Sequence, residues 1–151
     1  MKILSNLLMS VFVLAGCKHA GDLSDKRAVF DAGDTQVYTL FANRAEKTMS
    51  LVYANQTAVV SAAKGWAGTI KGEQLTVVTY QEEIDPFWYG SNINGHIKAV
   101  ERLTLERPLD GASGWIYQLL QGRTPRSGHG QLISISSRIQ EILSKRPVVF
   151  P

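Results

Sequence analysis

Turn signals return every eight to twelve residues between Gln36 and Glu106, a rhythm that belongs to an antiparallel meander and excludes long helices from this half of the chain. Val37-Tyr38-Thr39-Leu40-Phe41 and Ser50-Leu51-Val52-Tyr53 are rich in β-branched and aromatic residues. A charged connection, Asn43 to Lys47, joins them. They read as neighbouring antiparallel strands. Asn55-Gln56 then separates Leu51-Val52-Tyr53 from Ala58-Val59-Val60, a spacing that predicts a tight hairpin. The short run Trp66 to Ile70, a turn at Lys71-Gly72-Glu73 and the strand-like Leu75 to Tyr80 continue the pattern. Such a meander ends as a curved sheet, a sandwich or a small barrel.

The clearest alternation runs from His96 to Glu106. Ile97, Ala99, Leu103 and Leu105 fall on one face, and His96, Lys98, Arg102, Thr104 and Glu106 on the other. Glu101 interrupts the apolar face, and a bulge nearby or a place at the rim is expected rather than a buried functional carboxylate. Asp110 to Gly114 reads as a loop, Trp115 to Gln121 fits either helical turns or a last strand, and Gly122 to Gly130 is irregular and basic. From Leu132 to Arg146 the spacing changes. Leu132, Ile135, Ile139, Ile142 and Leu143 recur at threes and fours, one apolar stripe on a helix that Lys145 and Arg146 suit at its C-terminal end and Pro147 stops. The predicted architecture is α+β, a mostly antiparallel sheet with a C-terminal α-helix packed on it.

The first seventeen residues obey other rules. Lys2 is followed by an apolar run from Ile3 to Leu14, broken only by Ser5, Asn6 and Ser10, and then by Leu14-Ala15-Gly16-Cys17. A basic start, a short apolar core and small residues before a cut are what an export signal requires. A membrane span needs about 20 largely apolar residues, and this run has only twelve, three of them polar. The Leu-Ala-Gly-Cys quartet resembles the lipobox of bacterial lipoprotein precursors, whose cysteine is lipidated and becomes the new N-terminus. The resemblance covers only the signal. It implies cleavage before Cys17, the only cysteine of the chain, and anchorage through two or three acyl chains, enough to hold a protein on a membrane durably. With Lys18 rather than aspartate after the cysteine, it also implies the periplasmic face of the outer membrane, with the inner membrane and the cell surface as alternatives.

Residues 1–16 are thus expected to be a signal peptide, 17–35 a lipidated cysteine and polar tether with a short edge strand at Ala28-Val29-Phe30, and 36–151 one periplasmic domain. With its cysteine lipidated, the mature chain has no thiol for a disulfide, so packing alone must support the fold. Loss of Lys2 leaves fifteen basic against thirteen acidic groups, a net charge of +2. Residues 96–151 carry eight basic and four acidic groups, while residues 18–95 carry seven and nine. That excess suits anionic headgroups, cell-wall carboxylates or an acidic protein, although a solvated face is the commoner explanation, and export argues against nucleic acid as a partner.

Motifs of chemistry are sparse. Gly111-Ala112-Ser113-Gly114 lacks the spacing of a nucleophile elbow. His19, His96 and His129 include no pair at metal-binding spacing, and phosphate-loop and dinucleotide fingerprints are missing. Neither metal, cofactor nor enzymatic activity is expected. Glu82-Glu83-Ile84-Asp85 could in principle offer paired carboxylates for glycan or peptidoglycan cleavage, but acids so dense in a loop are more often simply solvated.

The most informative stretch is Asp85 to Gly95, where Phe87, Trp88 and Tyr89 stand in a row between Pro86 and Asn94-Gly95. Neighbours on an extended chain face opposite sides, so three rings cannot all enter one core. At least one must be exposed, as an interface anchor is, unless Trp88 instead caps the open end of the sheet. The expected function is binding: an envelope lipoprotein of inhibitor, immunity or exclusion type, or alternatively an accessory or pilot subunit of a secretion or assembly machine. Phe87, Trp88 and Tyr89 are its candidate partner-binding residues. Arg123, Arg126 and His129 in the basic loop come next.

Overall fold

The computed structural model describes residues 28–107, 114–126 and 131–148. Cys17 and the signal, the 108–113 loop and His129 lie outside the described residues. Five strands, β1 (Gln36–Asn43), β2 (Thr48–Ala54), β3 (Gln74–Ile84), β4 (Asn92–Leu105) and β5 (Trp115–Gly122), pair antiparallel in sequence order. The sheet is an open meander, with β1 and β5 as its edges. Trp115 to Gln121, which suits helix or strand as a sequence, lies in a strand because Trp115 and Tyr117 pair with Leu105 and Leu103 of β4 and so share its buried face.

The predicted hairpin at Asn55-Gln56 does not form. In its place stands α1, Gln56–Ala63. Val59 and Val60 read as strand residues, but the ends of the segment decide otherwise. The Asn55 side chain caps the helix by accepting from the Ala58 N–H, and it also accepts from the Gln74 N–H, tying the cap to β3. At the other end the Trp66 N–H reaches the Ser61 carbonyl and the Gly65 N–H that of Ala62, with Gly65 at φ 66°. This is a Schellman cap, which needs a left-handed residue that glycine adopts without strain. Ala58, Ser61 and Ala62 form the buried side, small enough for the helix to lie close on the sheet. Trp66 to Ile70, the short run expected to continue the meander, is instead the loop after α1. Its Trp66 indole donates to the Leu143 carbonyl at 2.8 Å and meets Trp115 edge-on at 5.6 Å.

The C-terminal helix α2, Ile135–Leu143, packs on the same face. Its start falls three residues later than the stripe suggests, because the Ser134 hydroxyl accepts from the Ser137 N–H and caps it there. Ile139 and Ile142 are buried, whereas Leu132 and Ile135 are 86 and 61 % exposed. The remaining buried residue of the helix is Arg138, one place before Ile139. After α2 the chain leans on the edge of the sheet, where the Val148 N–H donates to the Tyr38 carbonyl at 3.0 Å.

Tyr38, Val52, Leu75, Val77, Leu103 and Trp115 meet the two helices on one face. The opposite face holds a second cluster, Val78, Tyr80 and Val100, against which Phe30, Leu51, Tyr53 and Ile97 pack. Ala28 to Phe30 is no edge strand. Among the described residues it touches the sheet through the Ala28 N–H bond to the Gly95 carbonyl, a backbone bond of Phe30 with Tyr80, and the tilted contact of Phe30 with Tyr53 at 5.5 Å. An apolar cluster on the outer face gives the segment something to cover, so side-chain packing replaces a ladder.

Candidate functional site

β3 and β4 outrun their neighbours. β2 begins at Thr48 opposite Gln81, and β5 ends at Gly122 opposite Ala99, so Glu82–Ile84 and Asn92–Asn94 pair with each other beyond the ends of both neighbouring strands. The hairpin therefore projects from one end of the sheet, with Asp85 to Ser91 as its tip. The tip is a defined turn. Asp85 Oδ1 accepts from the Phe87 N–H at 2.9 Å, the Asp85 N–H reaches Ser91 O, the Ser91 N–H reaches Trp88 O, and Gly90 sits at φ 79°.

Phe87 and Trp88 are 57 and 72 % exposed, Tyr89 is wholly exposed, and Ile84 beside them is 80 % exposed. Trp88 thus does not close the core. Such a contiguous apolar cluster, fixed on a turn and surrounded by polar residues, is the kind of surface that marks an interaction site. Glu82 and Glu83 occupy successive strand positions and so point to opposite sides. Glu83 faces His96 at 3.8 Å, and Glu82 accepts a bond from Asn92. These two carboxylates do not converge on one bond as a glycan-cleaving pair must.

Arg123 and Arg126 lie at the same end of the molecule. At Gly122 the chain leaves β5 with φ 79°, so close to β4 that an added Cβ would stand 1.8 Å from the Lys98 carbonyl oxygen. Only glycine permits that approach. Residues 123–126 then run back toward β1, where Asn43 Nδ2 donates to the Arg126 carbonyl at 3.1 Å. Between this strap and the sheet lies an open cleft of about 850 Å³.

Glu101 corrects one expectation and bears out another. β5 does bulge opposite it, Leu120 being the extra residue between Leu119, paired with Glu101, and Gln121, paired with Val100. Yet Glu101 is not at a rim: it is completely buried. Arg138 of α2 closes on it with two bonds, Nε to Oε1 at 3.0 Å and Nη2 to Oε2 at 2.6 Å, and Tyr117 adds its hydroxyl to Oε1 at 2.8 Å. The remaining Arg138 nitrogen, Nη1, bonds Glu141 at 2.9 Å. Burial alone would lower the Arg138 guanidinium, but the bonds and charge of Glu101, then of Glu141, hold it above its ordinary value. Both charges stand at positions their own elements would give to apolar residues, and that shared anomaly was the available sign that they meet.

Burial, opposed by the Thr124 contact and reinforced by the Glu101 charge, pushes the Tyr117 phenol up to about 12. A phenol whose folded value exceeds its unfolded value, about 10, stabilises the fold fully below that lower value and loses its contribution as pH rises through the higher one. Burial raises Tyr38 and Tyr80 in the same direction. The melting midpoint is therefore expected to fall steadily between pH 10 and about 12, and Tyr117→Phe to fall less steeply across that window. Identical slopes for the two proteins would remove Tyr117 from the account.

Among the described residues no helix is long and apolar enough to cross a membrane, and no group of three or more His, Cys, Asp or Glu could hold a metal. No protein-family model matches the chain, and no curated protein matches it.

Proposed function

We propose that this protein is a lipid-anchored envelope protein that acts by binding another protein, as an inhibitor, immunity or exclusion factor does, and that the tip of the β3–β4 hairpin is its anchor for the partner. The observation that carries this reading is the exposure of three consecutive rings on a turn held by its own hydrogen bonds. A turn whose backbone is fixed before contact loses little freedom on binding, and Trp and Tyr contribute most of the energy at the centres of interfaces.

Trp88→Ala is the test. Removal of an exposed anchor costs about 2 kcal/mol or more of affinity, roughly thirtyfold, with little effect on folding. The variant should keep its melting midpoint and lose capture of its partner from envelope extracts. Undiminished capture would move the binding surface elsewhere. The membrane part of the proposal rests on Leu14-Ala15-Gly16-Cys17 alone. Labelled palmitate is expected to enter the wild-type protein and not Cys17→Ser; label persisting in that variant would refute lipidation at Cys17.

A further inference from the structure

The cleft beneath residues 123–126 has a floor of Thr79 and Ala99 and takes its charge from Lys98 of β4 and Arg123 and Arg126 of the strap. None of the three cations is in an ion pair with a described residue, whereas Arg138 and Lys71 elsewhere are paired. Glu46 is the sole carboxylate on the described lining. Arg44, on the far side of Arg126 in an adjoining hollow, is unpaired among the described residues as well. Cations gathered in a concavity repel one another and focus a positive field, so each gains when an anion enters. The cleft is also built in advance. Gly122 pins one end of the strap against Lys98, and the Asn43 bond to the Arg126 carbonyl pins the other.

We infer that this cleft binds an acidic, extended polypeptide segment of the partner, an inference that rests on the proposed role in protein binding. Its volume suits a few residues of chain rather than a flat lipid surface. The three cations are spread over β4 and the strap, which suits successive carboxylates, and Leu132 adds an apolar side chain to the lining. The cleft opens at the base of the hairpin that carries the aromatic tip, with His96, Ile97 and Lys98 only a few residues along β4 from it. A partner held by the tip would therefore bring its neighbouring chain to the cleft.

The probe is labelled hexaglutamate, followed by fluorescence anisotropy against the purified full chain at low salt, with hexalysine as control. Hexaglutamate should bind and hexalysine should not. Arg123→Glu combined with Arg126→Glu should weaken binding by about tenfold or more, while the corresponding lysine pair, which keeps the charges, should stay within about threefold. Both positions are exposed, so melting midpoints should not move. No binding, or binding indifferent to the charge reversal, overturns the inference. So does inorganic phosphate displacing the peptide at equal concentration, or capture of phosphatidylglycerol vesicles in its place, since either result assigns the cleft to phosphate. Trp88→Ala should bind hexaglutamate as the wild type does. If Trp88→Ala loses the whole partner while the charge-reversed protein retains it, the cleft fails and the tip stands. The reverse pattern fails the tip alone.

Discussion

Arg138→Met is expected to cost about 3–5 kcal/mol of folding stability, because it leaves Glu101 charged, buried and without its bidentate partner. A domain of this size has only about 5–15 kcal/mol in total, so the melting midpoint should fall by roughly ten degrees or more. The second half of the experiment is the informative one. Replacing both partners, with Glu101→Leu added to Arg138→Met, should recover most of the loss, since two apolar side chains of similar volume fill the site without a desolvated charge. Tyr117 would then keep Thr124 as its hydroxyl partner, at 3.3 Å. Thermal and urea melts of the two single variants and the double one complete the cycle. A single variant as stable as the wild type would show that the pair does not hold α2 to the sheet, and a double variant no better than the singles would show that the site needs a charge.

Ile142→Ala and Ile135→Ala make the same chemical change seven residues apart on one helix and should behave oppositely. Ile142 is wholly buried in the core beneath α2, and cutting it to alanine removes packed methylenes and leaves a cavity, at a cost of about 2–5 kcal/mol. Ile135 stands in solvent, and its truncation should stay within about 0.5 kcal/mol. Equal melting midpoints for the two variants would mean that the helix does not present this face to the sheet. A loss at Ile135 alone would mean that its first turn, rather than its last, is the packed one.

Four of the five strands were legible because β-branched and aromatic residues crowd them between turn signals, and Leu103 and Leu105 face the core by their spacing alone; β5, mostly exposed beyond Trp115, suits helix or strand as a sequence. The exposed tip was legible from spacing too, since three adjacent rings on extended backbone cannot share one side. Helix α1 was not read, although its signs were present in Asn55 before it and Lys64-Gly65 after it, because Val59 and Val60 carry a strand preference that only the capping bonds and the contact with β2 and β3 override. Short elements depend on context more than on composition.

By itself the sequence determined the mostly antiparallel sheet, the presence of a C-terminal helix, and the exposure of aromatic side chains between Pro86 and Gly95. These follow from backbone periodicity and local sterics, which involve residues only a few places apart. Tertiary structure alone decided that Glu101 meets Arg138 across thirty-seven residues, that α1 and α2 share one face of the sheet, and that Arg123 and Arg126 border a cleft instead of a solvated loop. Each of those depends on where one element stops relative to another, as β5 does at Gly122 while β4 continues. No local preference encodes such a distance; the packing of distant side chains on a common sheet does.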